Sequence, residues 1–354
     1  MYRHQLNLRH LSSPRVNRAA VTRTQNREPR IELMEAREQT MRQLRHTALY
    51  LGIASILSLP SGVLAQSDST RVNKLIELFE SDQPGFGVLS FDYSLNNARA
   101  LASSDLDFVF IDMEHAPFDV ERLRLFLLGM TNKRSILEKG NLQPDVVPFV
   151  RIPAAGGAEE LVAQVKQVLD VGVFGVFFPA VHTREDAELA VRATRYPQYN
   201  DAPDYEPRGL RGRNPSTAVW YWGISDYHAR ADVWPLDPQG ELLAMMFIES
   251  AEGVANIEEI VSVPGLGAIF IGPSDLSTSM GYASPAAPEV EAAIQRVLRA
   301  CLDNDVPCAI TTGPGSVQQR IDEGFRFVTV GADGGLNQGA SNALRLGREA
   351  AGRD

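Results

Sequence analysis

Eight short, wholly apolar runs recur along the chain from Leu75 onward, and most are separated by longer segments of helical periodicity. Runs that are apolar at every position, instead of alternating, are typical of parallel strands buried on both faces. Helical patterns at 158–169 and 184–194 fit the intervening segments. Eight such units in about 270 residues predict a (β/α)8 barrel. The predicted strands are 86–91, 108–113, 147–152, 175–180, 242–248, 268–271, 308–311 and 327–330.

A doubly wound open sheet would show the same alternation of strands and helices. It is less favoured because no Gly-x-Gly-x-x-Gly phosphate turn follows the first strand. Two stretches exceed a minimal barrel, residues 131–144 before the third strand and 198–238 before the fifth. Long connections in barrels usually lie over the active face or make subunit contacts. We therefore expect residues 199–238 to influence substrate choice.

The amino-terminal segment resembles an export signal. A basic start at Met41 precedes a short apolar stretch and small residues ending at Ala65, which is the pattern of a cleaved signal peptide. The apolar core is about a dozen residues, whereas a membrane span needs roughly 20. We expect residues 41–65 to be a signal peptide, without a stable membrane anchor. Residues 1–40 are polar and Arg-rich, either a disordered leader or, preferably, sequence upstream of a true start at Met41.

The charge argues against a nucleic-acid-binding protein, and the cysteine content argues against a small protein held together by disulfides. The net charge is −10, although residues 1–66 are basic, so the predicted barrel at 73–348 is strongly acidic. Nucleic-acid binding needs clustered Lys and Arg, so an acidic body argues against it. Only Cys301 and Cys308 occur, which excludes a disulfide framework. We expect both to be small buried hydrophobic residues.

Ionisable residues follow several predicted strands, which is where barrel enzymes carry their chemistry. Glu249 and Asp275 each end an apolar run on neighbouring strands. Two carboxylates with water completing the coordination suit Mg²⁺ or Mn²⁺. The alternative is that each acid caps the following helix. The other residues of this kind are Asp112, Glu114, His115, Arg151 and Asp333.

His115 and Arg151 are the candidates for acid–base chemistry and anion binding. His115 directly follows two acids, and a carboxylate can orient its ring and raise its basicity. Arg151 ends the third strand, where its guanidinium can pair with a small carboxylate or with the acidic cluster. The four lysines, Lys74, Lys133, Lys139 and Lys166, all lie away from predicted strand ends. An imine mechanism is therefore disfavoured, which leaves a metal-stabilised enolate.

These residues, in this order, resemble the HpcH/HpaI aldolase family, the class II pyruvate aldolases related to citrate lyase β subunits. The likeness extends from Asn73 to Leu344, and the run around Asp275 is its most specific part. The matching segments are 108–117, 150–153, 165–172, 193–197, 209–212, 248–250, 270–277 and 327–333.

The resemblance implies a metal-dependent, reversible cleavage of a 4-hydroxy-2-oxo acid to pyruvate and an aldehyde. It implies that Glu249 and Asp275 bind the cation, with Mg²⁺, Mn²⁺ or Co²⁺ as candidates. It also gives His115 the role of general acid and base, supported by Asp170, and Arg151 that of enolate stabiliser. The backbone around Ser274 and Asp275 would hold the pyruvyl carboxylate. Family members are typically homohexamers.

Two features depart from the family pattern. Phe247 stands where the family commonly has Gln, two residues before the metal-binding Glu. The family is usually cytoplasmic, whereas this chain is predicted to be exported to the periplasm. Two alternatives to the aldolase therefore remain open. One is an exported barrel that binds a 2-oxo acid without turnover, and the other is a citrate-lyase-like enzyme acting on an acyl-CoA.

Overall fold

The computed structural model describes residues 70–333 and 336–353. The predicted leader, residues 1–40, and the predicted signal peptide, residues 41–65, lie outside this part of the chain. Among the described residues, no helix combines the length and the apolar character that a membrane crossing requires.

The strands form a closed barrel of eight parallel strands in chain order, sealed by pairing between the first and the last. This confirms the predicted (β/α)8 architecture. Nearly every strand residue is buried, because one face lines the barrel interior and the other lies under the helices. The strands are β1 Gly85–Ser90, β2 Phe108–Asp112, β3 Val147–Arg151, β4 Gly175–Phe178, β5 Leu243–Ile248, β6 Leu266–Ile271, β7 Cys308–Thr311 and β8 Phe327–Thr329.

Helices follow every strand, and short polar side chains begin several of them. Thr183 and Asp186 form a reciprocal capping box before one helix, and Asp119 caps another. The helices are α1 Lys74–Glu80, α2 Leu95–Ala102, α3 Val120–Met130, α4 Lys133–Lys139, α5 Ala158–Val171, α6 Arg184–Thr194, α7 Ser216–Trp222, α8 Tyr227–Arg230, α9 Ala251–Ala255, α10 Ile257–Val261, α11 Pro273–Ser279, α12 Pro288–Asp303, α13 Val317–Glu323 and α14 Gln338–Ala350. Cys301, in α12, and Cys308 are both buried free thiols.

Phenylalanine rings fill the barrel interior beneath its carboxyl-terminal mouth. Four of them, Phe110, Phe177, Phe247 and Phe270, come from β2, β4, β5 and β6, and each contacts the other three with centroid distances of 4.1 to 5.9 Å. We call these four rings the aromatic floor. Side chains two residues further along a strand share its inward face. The next layer toward the mouth therefore includes Asp112 above Phe110 and Glu249 above Phe247.

Both long connections lie at the opposite end of the barrel from the mouth. Residues 195–242 run from the end of α6 to the start of β5, and residues 131–146 run from α3 to β3, with α4 between. A helix that follows a parallel strand returns to the amino-terminal end of the sheet, so these connections must lie there. The buried Arg195 anchors the longer one by contacts to Asp232 at 2.7 Å and to the Pro207 carbonyl at 3.0 Å. Within one chain, residues 199–238 therefore do not lie over the mouth of their own barrel, and their influence on substrate choice stays a prediction.

A buried ion cluster around Asp107 ties both ends of the domain to the barrel. Its carboxylate accepts hydrogen bonds from the Phe86 N–H at 3.0 Å and from Arg353 at 2.8 and 2.9 Å, and it pairs with Lys74 at 2.8 Å. Burial alone would raise the pKa of Asp107, but Arg353 and Lys74 outweigh it and hold that pKa below its usual range.

We expect Asp107→Asn to lower the free energy of unfolding by about 3–5 kcal/mol, because two cations lose their buried partner. The wild-type stabilisation is present above the unfolded pKa of about 3.9 and is lost as the pH falls through the lower folded value. Urea unfolding from pH 7 to 3 should therefore show the two proteins converging in acid. A variant within about 0.5 kcal/mol of wild type at pH 7 would contradict this role of the cluster.

Candidate active site

Glu249 and Asp275 leave the barrel from adjacent strands. Ile248 of β5 pairs with Ile271 of β6, so the next residues, Glu249 and Gly272, emerge side by side. The helix α11 begins directly after Gly272 and carries the exposed Asp275 in its first turn. The two carboxylates predicted to hold a cation therefore follow neighbouring strands at the mouth of the barrel.

Backbone geometry fixes the Glu249 carboxylate. Its Oε1 accepts a hydrogen bond of 2.9 Å from the N–H of Ala180, a residue with a φ of 54° just past β4. This left-handed conformation is unfavourable for alanine and aims the amide at Glu249. A methyl group at Gly272 would lie only 3.1 Å from Oε2, so the absence of a side chain there leaves room for the carboxylate.

Neither Glu249 nor Asp275 caps a helix, so the capping alternative for these two residues is wrong. Ser250 caps α9 through its hydroxyl, and Gly272 occupies the capping position of α11.

In the part of the chain that the structure describes, no group of three or more His, Cys, Asp or Glu residues is arranged to hold a metal ion. A cation held by Glu249 and Asp275 would take its other ligands from water and substrate, which suits Mg²⁺.

Arg151 lies between two carboxylates and above the aromatic floor. Its Nε donates to Asp112 Oδ1 at 3.0 Å, its Nη2 donates to Oδ2, and its Nη1 lies 3.1 Å from Glu114. The guanidinium carbon lies 5.3 Å from the ring centroid of Phe110 and 5.1 Å from that of Phe247. Three of its five N–H groups have acid partners, and the planar fork still has N–H groups to offer to a ligand.

His115 lies on the loop after β2 with its side chain 60% exposed. Its backbone N–H donates to Asp112 at 3.3 Å, and its Nε2 lies 3.8 Å from Glu114. The carboxylate nearest to the ring is therefore Glu114. Burial raises the pKa of Glu114, and the charges of Glu249 and Asp112 add to this effect against the opposing influence of Arg151. Glu114 thus couples the arginine, the histidine and the predicted metal ligand electrostatically.

The amides of Ser274 and Asp275 belong to the first turn of α11, which begins with Pro273. Amides in a first helical turn have no partner within the helix and attract anions. The Ser274 carbonyl accepts the hydroxyl of Ser277 at 2.8 Å, which fixes the turn from behind.

Asp170 is the one predicted site residue that lies elsewhere. It precedes the end of α5, which lies at the amino-terminal end of the strands, and its carboxylate pairs with Arg211 at 3.0 Å. Arg211 is fully buried and also donates to the Tyr227 hydroxyl at 3.0 Å. Within one chain, Asp170 and His115 are therefore at opposite ends of the barrel.

Comparison with known proteins agrees with this geometry. The family model described as HpcH/HpaI aldolase/citrate lyase matches residues 94–340. The chain belongs to this family. The 4-hydroxy-2-oxo-heptane-1,7-dioate aldolase of Shigella boydii is 33% identical over 287 residues, covering 78% of this chain and 96% of the relative. The hydroxypyruvate/pyruvate aldolase of Delftia acidovorans is 34% identical over 270 residues, covering 75% and 88%.

The solved structures give the same family. That of an HpcH/HpaI aldolase/citrate lyase family protein from Burkholderia cenocepacia superposes with a TM-score of 0.62 at 32% identity. It covers 78% of this chain and 97% of that protein. With curated aldolases above 30% identity, the predicted reaction class of carbon–carbon lyase is confirmed.

Three residues that contribute to the site were not assigned roles from the sequence. Glu114 and Asp112 were recognised as acids beside His115, but their contacts to Arg151 become visible only when β2 and β3 pair, with Asp112 opposite Arg151. The Tyr93 hydroxyl donates to the carbonyl of Asp112 and supports it from the β1 side. The sequence signal for Glu114 is its position within the run Asp112-Met113-Glu114-His115.

Proposed function

We propose that the chain is a divalent-metal-dependent aldolase that reversibly cleaves a 4-hydroxy-2-oxo acid to pyruvate and an aldehyde. The observation that carries the proposal is the arrangement at the barrel mouth. The guanidinium carbon of Arg151 lies 5.1 Å from the ring centroid of Phe247, and a methyl group built at Gly272 would lie 3.4 Å from that ring and 3.1 Å from Glu249 Oε2. The predicted cation ligand and the guanidinium are therefore both close to one apolar side chain, an arrangement that suits a metal-chelated 2-oxo acid.

Glu249 and Asp275 would hold Mg²⁺, Mn²⁺ or Co²⁺, which would polarise the oxygens of the 2-oxo acid. Arg151 is directed by Asp112 and Glu114, so its remaining N–H groups can donate to an oxygen on which negative charge develops. The amides of Ser274 and Asp275, in the first turn of α11, would receive the substrate carboxylate. These are the roles that the family resemblance implies for the same residues.

His115 would move the proton of the 4-hydroxyl group. Its ring, 60% exposed, can reach a substrate entering from solvent, and its Nε2 lies 3.8 Å from Glu114. Asp170 keeps the predicted role of supporting His115 only if a second copy of the chain supplies it, because the two lie at opposite ends of one barrel. Assembly into a homohexamer, which the resemblance implies, would provide such neighbours, and light scattering of the purified protein tests it.

We also infer that residues 41–65 direct export of the enzyme, because they have the pattern of a signal peptide. Expression of the full chain followed by cell fractionation and amino-terminal sequencing tests this. A periplasmic product that begins at Gln66 is expected. An uncleaved chain in the cytoplasm would contradict the inference and would match the usual location of the family.

The proposed reaction is tested with the chain from Gln66 onward, incubated with Mg²⁺, Mn²⁺ or Co²⁺ and a panel of 4-hydroxy-2-oxo acids. Pyruvate release, followed by coupled reduction with lactate dehydrogenase, is expected with at least one metal and is abolished by chelation. Metal-dependent binding of pyruvate without cleavage or condensation would instead support the binding protein. Activity that depends on coenzyme A would support the citrate-lyase-like alternative.

We expect His115→Asn to lower kcat for pyruvate release by about 10²- to 10⁴-fold, because proton transfer loses its acid–base group. Binding of pyruvate in the presence of metal should remain within about threefold of wild type, since His115 is not among the proposed ligands. His228→Asn is the matched control, because that ring lies against Tyr196 and Tyr227 at the opposite end of the barrel. A His115 variant with wild-type kcat would remove the proton-transfer role.

A further inference from the structure

Phe247 is close to both charged parts of the proposed site. Its ring centroid is 5.1 Å from the guanidinium carbon of Arg151. One small volume beside Gly272 also adjoins both Phe247 and Glu249. A methyl group built there would lie 3.4 Å from Phe247 Cδ1 and 3.1 Å from Glu249 Oε2. A small ligand that extends from Glu249 to Arg151 would therefore pass close to this ring.

The surface that Phe247 offers is apolar and rigid. Its ring stacks on Phe270 with a centroid distance of 4.5 Å and an interplanar angle of 14°, and it meets Phe110 and Phe177 edge-on. With 4% of its surface exposed, the side chain is fixed by these contacts and cannot turn away. The aromatic floor has no hydrogen-bond donor or acceptor in its four side chains. A hydroxyl group placed against it would lose its water without gaining a partner.

The polar groups of a 2-oxo acid are all accounted for by other residues. Its carboxylate and carbonyl oxygens would be bound at Glu249, Asp275 and the start of α11, and its developing negative charge would be stabilised by Arg151. The remaining part is the third carbon with its substituent. This carbon carries hydrogen in pyruvate, a methyl group in 2-oxobutanoate and a hydroxyl in hydroxypyruvate.

We infer that Phe247 is a specificity-determining residue, which makes the site select 2-oxo acid donors without a hydroxyl on the third carbon. Pyruvate and 2-oxobutanoate are accepted, and hydroxypyruvate is disfavoured. This inference rests on the proposed function, because it specifies the substrate class of that same site. The inference concerns the contact between the Phe247 ring and the substituent on the third carbon. The contact of the same ring with Arg151 is a separate effect.

Two substitutions of similar size separate these effects. Phe247→Leu and Phe247→Gln both remove the ring that contacts Arg151, but only glutamine supplies hydrogen-bonding groups. The measurement is kcat/KM for condensation of pyruvate, and of hydroxypyruvate, with one common aldehyde. Wild type and the leucine variant are expected to prefer pyruvate by roughly tenfold or more. The glutamine variant should move this ratio toward hydroxypyruvate by about tenfold relative to leucine.

Three kinetic outcomes would overturn the inference. They are a wild-type preference for hydroxypyruvate, an unchanged ratio in the glutamine variant, and an equal shift in both variants, which would trace selectivity to the lost ring. Calorimetry of both donors with Mg²⁺ gives a second readout that needs no turnover. If binding shows the predicted ratios while no aldehyde is condensed, the proposed function fails and the inference stands. If neither donor binds to the folded protein, both fail.

Discussion

Glu249→Gln is expected to lower kcat/KM for pyruvate release by about 10³-fold or more, with little change in stability. The reason is that loss of a charged ligand removes several kcal/mol of electrostatic stabilisation from the transition state. Glutamine has the size of glutamate, and its carbonyl oxygen can still accept the hydrogen bond from Ala180. The measurement is steady-state kinetics over a wide range of Mn²⁺ concentration, together with the urea midpoint of the variant.

Glu252→Gln provides the matched control for this variant. Glu252 is exposed, lies in the first turn of α9 and carries the same charge three residues further along the chain. Its kinetic constants should remain within about twofold of wild type, because an exposed charge outside the site has little influence. Retention of more than a tenth of wild-type activity by Glu249→Gln at every metal concentration would exclude Glu249 as a metal ligand.

Replacement of Arg151 has the second large effect, and two variants separate its geometry from its charge. Arg151→Lys keeps the charge, but an ammonium group cannot bridge Asp112 and Glu114 while also donating to substrate. We expect kcat to fall by about 10²- to 10³-fold, as when an oriented donor is lost. Arg151→Met also removes the partner of the fully buried Asp112, which should lower the free energy of unfolding by about 3–5 kcal/mol.

Kinetics and urea unfolding of both Arg151 variants test these effects. Arg134→Lys is the control, because Arg134 forms an exposed pair with Glu138 on α4 and lies at the far end of the barrel. Neither its kcat nor its stability should change measurably. If Arg151→Lys keeps kcat within threefold of wild type, the bidentate orientation of Arg151 does not contribute to the reaction.

The fold could be predicted because parallel barrel strands are buried on both faces and appear as unbroken apolar runs. The predicted bounds of two strands, the end of β4 and the start of β6, differ from those in the structure, and in each case a proline or glycine lies at the difference. β4 stops at Phe178, two residues earlier than predicted, since Pro179 lacks an N–H and Ala180 adopts a left-handed conformation. β6 begins at Leu266, two residues before its predicted start at Ala268. The prediction began late because Gly267 interrupts the apolar pattern. In the structure Gly267 belongs to the strand, since it fits tightly against Leu243.

The sequence predicts which residues belong to the candidate site, but it does not predict the contacts between them. Strand ends and residue types identified Glu249, Asp275, His115 and Arg151. The ion pairs that organise the site and the barrel join residues far apart in the chain, such as Arg353 with Asp107, and no local pattern encodes them. The pairing of Asp170 with Arg211 is of the same kind, which is why the sequence did not reveal the position of Asp170 at the amino-terminal end of the barrel.

Hydrogen–deuterium exchange at the third carbon of pyruvate most directly tests whether Glu249, Asp275 and Arg151 form a metal-dependent enolising site. It needs no knowledge of the aldehyde. With Mg²⁺, Mn²⁺ or Co²⁺ in D₂O, proton NMR should show the methyl signal of pyruvate decaying faster with wild type than with chelator or with Glu249→Gln. A methyl signal that decays equally in all samples, with wild type shown to be folded by circular dichroism, would contradict the proposed chemistry.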